Sequence, residues 1–189
     1  VSVWLWLCVA RASDPPASDG AESPVEEAMV SEVSRAEGLA AFEVVHEVLV
    51  SPRCANCHPV GDVPTVGDAW QPHPMGITRS SPEVGLPCAT CHRVEGLQRP
   101  RVPPANGHWG LPPRNQVFAG RSPSELCEQL KDPERTGGRD LAALSQHVTN
   151  DSLVLWGWSP GPGRTLPPHD HDAFVAAMQA WVSAGGPCP

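Results

Sequence analysis

Apolar positions along the chain fall into four helical stretches, interrupted by one long region without periodicity. Leu39, Phe42, Val45, Val48 and Leu49 recur on one helix face, and Ser51-Pro52 ends the run. Ser122-Pro123-Ser124-Glu125 combines Pro at the first turn with a capping-box Glu, and so starts a second helix through Leu126, Cys127 and Leu130. Leu141, Leu144 and Val148 predict a third over Arg139 to Val148. A fourth begins near Asp172, carries Phe174, Val175, Met178, Trp181 and Val182, and stops at Gly185-Gly186. No segment alternates convincingly as a strand. The expected fold class is mainly α with extensive irregular loops and few or no strands. From Arg53 to Gly120 Pro and Gly are frequent and periodicity is lost. Such a stretch cannot build a core from its own side chains.

The N-terminal region divides by polarity. Residues 1–10 are almost wholly apolar and end at Arg11, and Ala10-Arg11-Ala12 fits a small-x-small cleavage site that would free Ser13. Residues 1–12 are therefore expected to be a signal peptide, although it lacks the usual leading positive charge. Cys8 would tether the chain to a membrane if lipidated, but Leu7 stands where that motif wants a small residue. Residues 13–36, rich in Asp, Glu, Pro, Ser and Ala, read as an acidic disordered tether. Residues 37–189 remain as one domain.

Charge and composition narrow the function. Seven of the acids behind the net charge of −8 lie in residues 13–37, so the domain itself is nearly neutral. Without a basic face it is not expected to bind nucleic acid. No run approaches the roughly 20 apolar residues of a membrane span. With 23 Pro, 17 Gly and no Tyr, the chain lacks the long apolar runs of a Rossmann or barrel enzyme. Its seven Cys carry more information.

Four of them lie in two pentapeptides, Cys54-Ala55-Asn56-Cys57-His58 and Cys88-Ala89-Thr90-Cys91-His92. Each is Cys-x-x-Cys-His, the pattern of covalent c-type haem attachment. Two thiols at this spacing reach the two vinyl groups of one porphyrin, and the adjacent imidazole binds iron from below. Composition predicts roughly 0.01 such motifs by chance. Zinc is a weaker reading, because 30 residues separate Cys57 from Cys88 and zinc gives no role to the following His. A thioredoxin-like redox pair would need a strand-to-helix setting that is missing. Two covalent haem c groups also answer how a Pro-rich stretch acquires a core. Cys54, Cys57, Cys88 and Cys91 would attach them, with His58 and His92 as proximal iron ligands.

The sixth position of each iron has several candidates. His73 follows His58 by 15 residues and His108 follows His92 by 16, so the segment reads as a loose duplication with one further His per unit. His147, on the third helix beside Leu144 and Val148, is the rival. Met75 could supply a thioether, in competition with His73 on the same short loop. His46 is expected to be exposed, and His169 and His171, flanking Asp170 at a helix start, need no metal. Cys127 and Cys188, the remaining thiols of an exported chain, are expected to pair. Trp156-Gly157-Trp158 reads either as a partner-docking surface or, preferably, as packing against porphyrin faces. Arg53, Arg93 and Arg164 are candidate partners of haem propionates.

From about Arg53 to Pro189 the chain resembles the short di-haem cytochromes c catalogued as an isoquinoline 1-oxidoreductase subunit. The likeness rests on residues 54–62, Pro72-His73-Pro74, the second haem motif, His108-Trp109, Glu125-Leu126-Cys127, Leu130-Lys131-Asp132-Pro133, Gly137-Gly138-Arg139, His147, residues 153–157 with Trp158, and Pro187-Cys188-Pro189. The resemblance implies an electron acceptor for a periplasmic molybdenum hydroxylase or another periplasmic oxidoreductase. Nothing in the chain itself resembles a molybdopterin site. The expectation is an exported, periplasmic electron carrier with redox-protein partners. An electron-accepting subunit of a larger oxidoreductase is the alternative, and a small haem enzyme with one open iron is less favoured. Three histidines compete for two distal positions, and the choice among His73, His108 and His147 stays open here.

Overall fold

The computed structural model describes residues 24–92, 102–103 and 110–189. The expected signal peptide, Cys8, Arg93 and His108 lie outside them. Helix α1 spans Pro24–Leu49 and so begins well before the periodicity predicts, taking in residues 24–36 of the expected tether. Met29 and Val33 are exposed on this part, so no core-facing stripe marks it. The stripe begins where other elements cover the helix, near Gly38.

The other long helices lie close to their expected places. α2 is one turn, Pro52–Ala55. α3, Pro123–Leu130, starts with the expected capping box, in which the Ser122 hydroxyl and the Glu125 carboxylate each accept from the other's backbone N–H. α4 spans Leu141–Asn150, capped by Asp140, and α5 is the short Ser152–Leu155. α6, His171–Ser183, is capped by Asp170 and ends before Gly185 in the left-handed region at φ 79°. The only strands among the described residues are β1, Thr65–Val66, and β2, Gln71–Pro72, paired antiparallel with Thr65 opposite Pro72. Two residues per strand are too few to leave an alternating pattern.

The core forms where α1 crosses α6. Phe42 and Val45 meet Phe174, Met178 and Trp181, with the Phe42 and Trp181 rings 5.0 Å apart. Leu126 and Leu130 of α3 and Leu144 and Val148 of α4 complete it. The tail is bound to this core twice over. Cys127 and Cys188 are joined at 2.00 Å, and the Trp181 Nε1–H donates to the Pro187 carbonyl at 3.0 Å. Gly38 permits the approach: a Cβ there would stand 2.6 Å from Ala184 Cβ and 2.7 Å from Pro187 Cγ. Among the described residues no helix is long and apolar enough to cross a membrane. Of the irregular stretch after α2, Phe118 joins this core, and hydrogen bonds from Phe118 N–H to the His58 carbonyl and from Val117 N–H to Gln129 tie the first part of the stretch to it.

Candidate functional site

The first motif is fastened on both sides. Asn56, its central residue, accepts from the Thr65 hydroxyl at 2.6 Å and donates to the Gly67 carbonyl at 2.9 Å, so it fixes the β1–β2 hairpin. The Thr65 backbone N–H also donates to the Asn56 carbonyl at 3.0 Å. On the other side, the His58 carbonyl accepts from Phe118 N–H at 3.0 Å, and the two rings stack at 3.7 Å and 5°. His58 Nδ1–H donates to the Gln116 carbonyl at 3.1 Å. Buried Gln129 of α3 holds this loop in turn by accepting from Val117 N–H at 3.3 Å. Burial pushes the His58 imidazole down to about 3, so its ring is neutral.

The second motif repeats the arrangement on a 3₁₀ turn, Cys88–Thr90. His92 N–H donates to the Cys88 carbonyl at 3.0 Å, and its Nδ1–H donates to the Pro103 carbonyl at 3.1 Å. Burial, opposed by that hydrogen bond, lowers its proton affinity as well. Burial also pushes the Cys54 thiol up to about 12 and Cys57 to about 11. A redox pair needs a stabilised thiolate, which burial does not give these two thiols. Among the described residues no three His, Cys, Asp or Glu side chains converge on a position that could hold a bare metal ion.

Between the motifs lies a cavity of about 610 Å³. Cys57, Cys88, Cys91 and His92 line it from the motifs, and His73 from the hairpin. Val66, Ile77, Leu86, Leu111 and Trp156 make much of the wall apolar, and Arg53 and Arg164 add two guanidinium groups. Cofactor cavities commonly have roughly 300–1,000 Å³ with mostly apolar walls and few polar groups. A flat apolar macrocycle carrying two carboxylates fits this donor set. Arg53, buried, pairs with Asp68, whose other oxygen accepts from Thr165 N–H at 3.0 Å. Arg164 donates to the Pro160 carbonyl at 2.9 Å and lies over the Trp156 ring at 5.3 Å. Trp156 lines the cavity, whereas Trp158 packs on Phe174 and His171.

The seven described histidines fall into two sets by ring nitrogen. His58, His92 and His73 donate Nδ1–H to backbone carbonyls, His73 to that of Pro74 at 2.9 Å. His147 turns Nδ1 to Asp151 Oδ2 at 3.5 Å, and burial, partly offset by Asp151, lowers its proton affinity. His46, His169 and His171 use the other nitrogen. Their Nε2–H groups donate to the Arg121 carbonyl at 2.9 Å, the Glu47 carboxylate at 2.6 Å and the Val148 carbonyl at 3.0 Å. His46 is half-buried rather than exposed, because this bond ties α1 to Arg121, two residues before α3.

Met75 touches the cavity but is 78 % exposed, in a left-handed conformation at φ 66°. The His73 and His92 rings lie 6.2 Å apart with 52° between their planes. Gln116, Pro103, Phe118 and Gln129 have no signature in the sequence, since three of them act through backbone groups or packing and Gln129 through a carbonyl oxygen. Asn56 sits inside a motif but carries no label of its own. No protein-family model, curated protein or solved structure matches the chain.

Proposed function

We propose that the protein is an exported di-haem c-type cytochrome that carries single electrons between periplasmic redox proteins. The observation that carries this reading is the paired geometry of His58 and His92. Each follows a Cys-x-x-Cys pair and donates Nδ1–H to a backbone carbonyl at 3.1 Å, the tautomer in which Nε2 carries the ring's lone pair. Cys54 with Cys57, and Cys88 with Cys91, would hold one porphyrin each. Each thiol would be held as a thioether, its S–H added across a vinyl C=C with the hydrogen on the neighbouring carbon and no leaving group. When bound, the haem iron supplies one-electron cycling between ferric and ferrous states.

The chain's own part is to position, cover and tune. Arg53 and Arg164 offer guanidinium groups to propionates, and Trp156 an aromatic wall. The Cys127–Cys188 disulfide supports an oxidising compartment, in agreement with the apolar leader at residues 1–10. The resemblance to the isoquinoline 1-oxidoreductase subunit family makes a molybdenum hydroxylase one candidate donor.

The test is expression with export and haem-maturation machinery, followed by intact mass after denaturation. The expected result is a gain of two haems that survives unfolding, on a chain beginning at Ser13. A colourless protein, or one retaining zinc, would overturn the reading.

A further inference from the structure

We propose that axial ligation is crossed between the two units: His73, on the hairpin after the first motif, binds the second haem opposite His92, and His147 on α4 binds the first opposite His58. This rests on the di-haem reading and selects the two distal ligands from three candidates.

The ring separation carries the first half. An imidazole nitrogen binds a metal at about 2 Å and lies about 1 Å from its own ring centre, so two imidazoles on opposite faces of one iron have ring centres about 6 Å apart. The His73 and His92 rings are 6.2 Å apart, and both line the same cavity with Cys88 and Cys91. Two rings sharing an iron axis take any mutual twist, so the 52° between their planes is admissible. His73 is held there by backbone. Its N–H donates to the Pro64 carbonyl at 2.9 Å, it stands between Pro72 and Pro74, and Asn56 anchors the hairpin. Little conformational freedom is lost when such a residue takes a ligand.

Ring-nitrogen usage carries the second half. A neutral imidazole that donates from Nδ1 offers its lone pair at Nε2. His58, His73 and His92 are set this way by carbonyls, and the Asp151 carboxylate, 3.5 Å from Nδ1 of His147, favours a proton on that nitrogen too. A carboxylate behind the ligating ring is a recurrent way to orient it. His46, His169 and His171 commit Nε2–H to protein oxygens instead. With His73 assigned to His92, His147 is the described histidine left for His58. Two irons then have four imidazoles, and His108 has no position to fill.

The test uses the full chain loaded with haem during export, with spin state read by electron paramagnetic resonance and visible absorption. Removing the second attachment pair, by Cys88→Ser with Cys91→Ser, leaves one haem. In that background His147→Ala is expected to turn it from low to high spin, and His73→Ala to leave it low spin. The reverse pattern overturns the crossed assignment. The same contrast can be read in the chain that keeps all four motif cysteines. His73→Gly with His92→Gly should spare one bis-imidazole haem, whereas His73→Gly with His58→Gly should spare none. Equal loss in both pairs, or the opposite order, overturns it. His73→Gly alone should make about half the haem high spin, with added imidazole restoring it, and His108→Ala should change no spectrum. A low-spin His73→Gly protein, or a high-spin His108→Ala protein, also overturns it. Absence of covalent haem from the unmutated chain is read by mass and defeats the cytochrome reading itself.

Discussion

The side chain of Asn56 holds the hydroxyl of Thr65 at 2.6 Å, joining the middle of the first motif to the hairpin that carries His73. Asn56 is 8 % exposed, so its replacement strands polar groups away from water. Asn56→Ala is expected to cost about 1–3 kcal/mol, because both the hydroxyl and the Gly67 carbonyl lose their partner. Denaturant unfolding checks the cost. The same variant, once loaded, should show a high-spin fraction that Thr65→Val shows to a smaller degree.

Gly38 is a helix-interior glycine whose replacement by Ala would ordinarily add about 1 kcal/mol of stability. Here the new methyl group would meet Ala184 and Pro187 at under 3 Å. Gly38→Ala is therefore expected to destabilise by about 1–3 kcal/mol through overpacking. Thermal unfolding should show a lower midpoint. An unchanged or higher one would mean that the tail moves aside freely.

Breaking the Cys127–Cys188 bond is expected to lower stability by about 4 kcal/mol, the chain-entropy value for a loop of this length. Cys127→Ser with Cys188→Ser tests this by chemical denaturation. Reductant should shift the midpoint of the unmutated chain by the same amount and leave the double variant unmoved.

Glu125 contributes a pH dependence of known sign. Ser122 N–H, with the Ser122 hydroxyl and Arg121 in support, holds its carboxyl below the ordinary value of 4.5. The stabilisation is fully present above that value and is lost as pH falls through the depressed native value. Glu125→Gln lacks this titration. The gap in melting temperature between the two proteins should be widest near neutrality and should close as pH drops below 4.5. A constant gap would show that the carboxylate charge is not what the capping box uses.

Legibility differed by element for physical reasons. The start of α3 was readable because its cap is made by side chains adjacent in sequence, Ser122 and Glu125. The start of α1 was not, because Met29 and Val33 meet solvent and leave no stripe to detect. The two Cys-x-x-Cys-His pentapeptides were readable as short contiguous patterns. The neighbour of His73 was not, because spacing groups His73 with His58, while the hairpin sets its ring 6.2 Å from that of His92. Ring-nitrogen choice is equally silent in sequence: it depends on which oxygen the fold brings to Nδ1, and in His58 and His92 that oxygen belongs to a backbone carbonyl 58 and 11 residues further on.

The wedge of Pro187 and Cys188 against α1 also sets an order of events during synthesis. Arg35 donates to the Cys188 carbonyl at 3.4 Å across 153 positions, and Gly38 meets Pro187 across nearly as many. Contacts of such separation form late, since loop closure must precede any gain from them. Helix α1 leaves the ribosome early and waits for a lid made near the far end of the chain. Residues 53–120 emerge in the interval, while the core that will flank them is still incomplete. The two Cys-x-x-Cys-His segments thus go without their flanking helices for as long as the tail has not arrived.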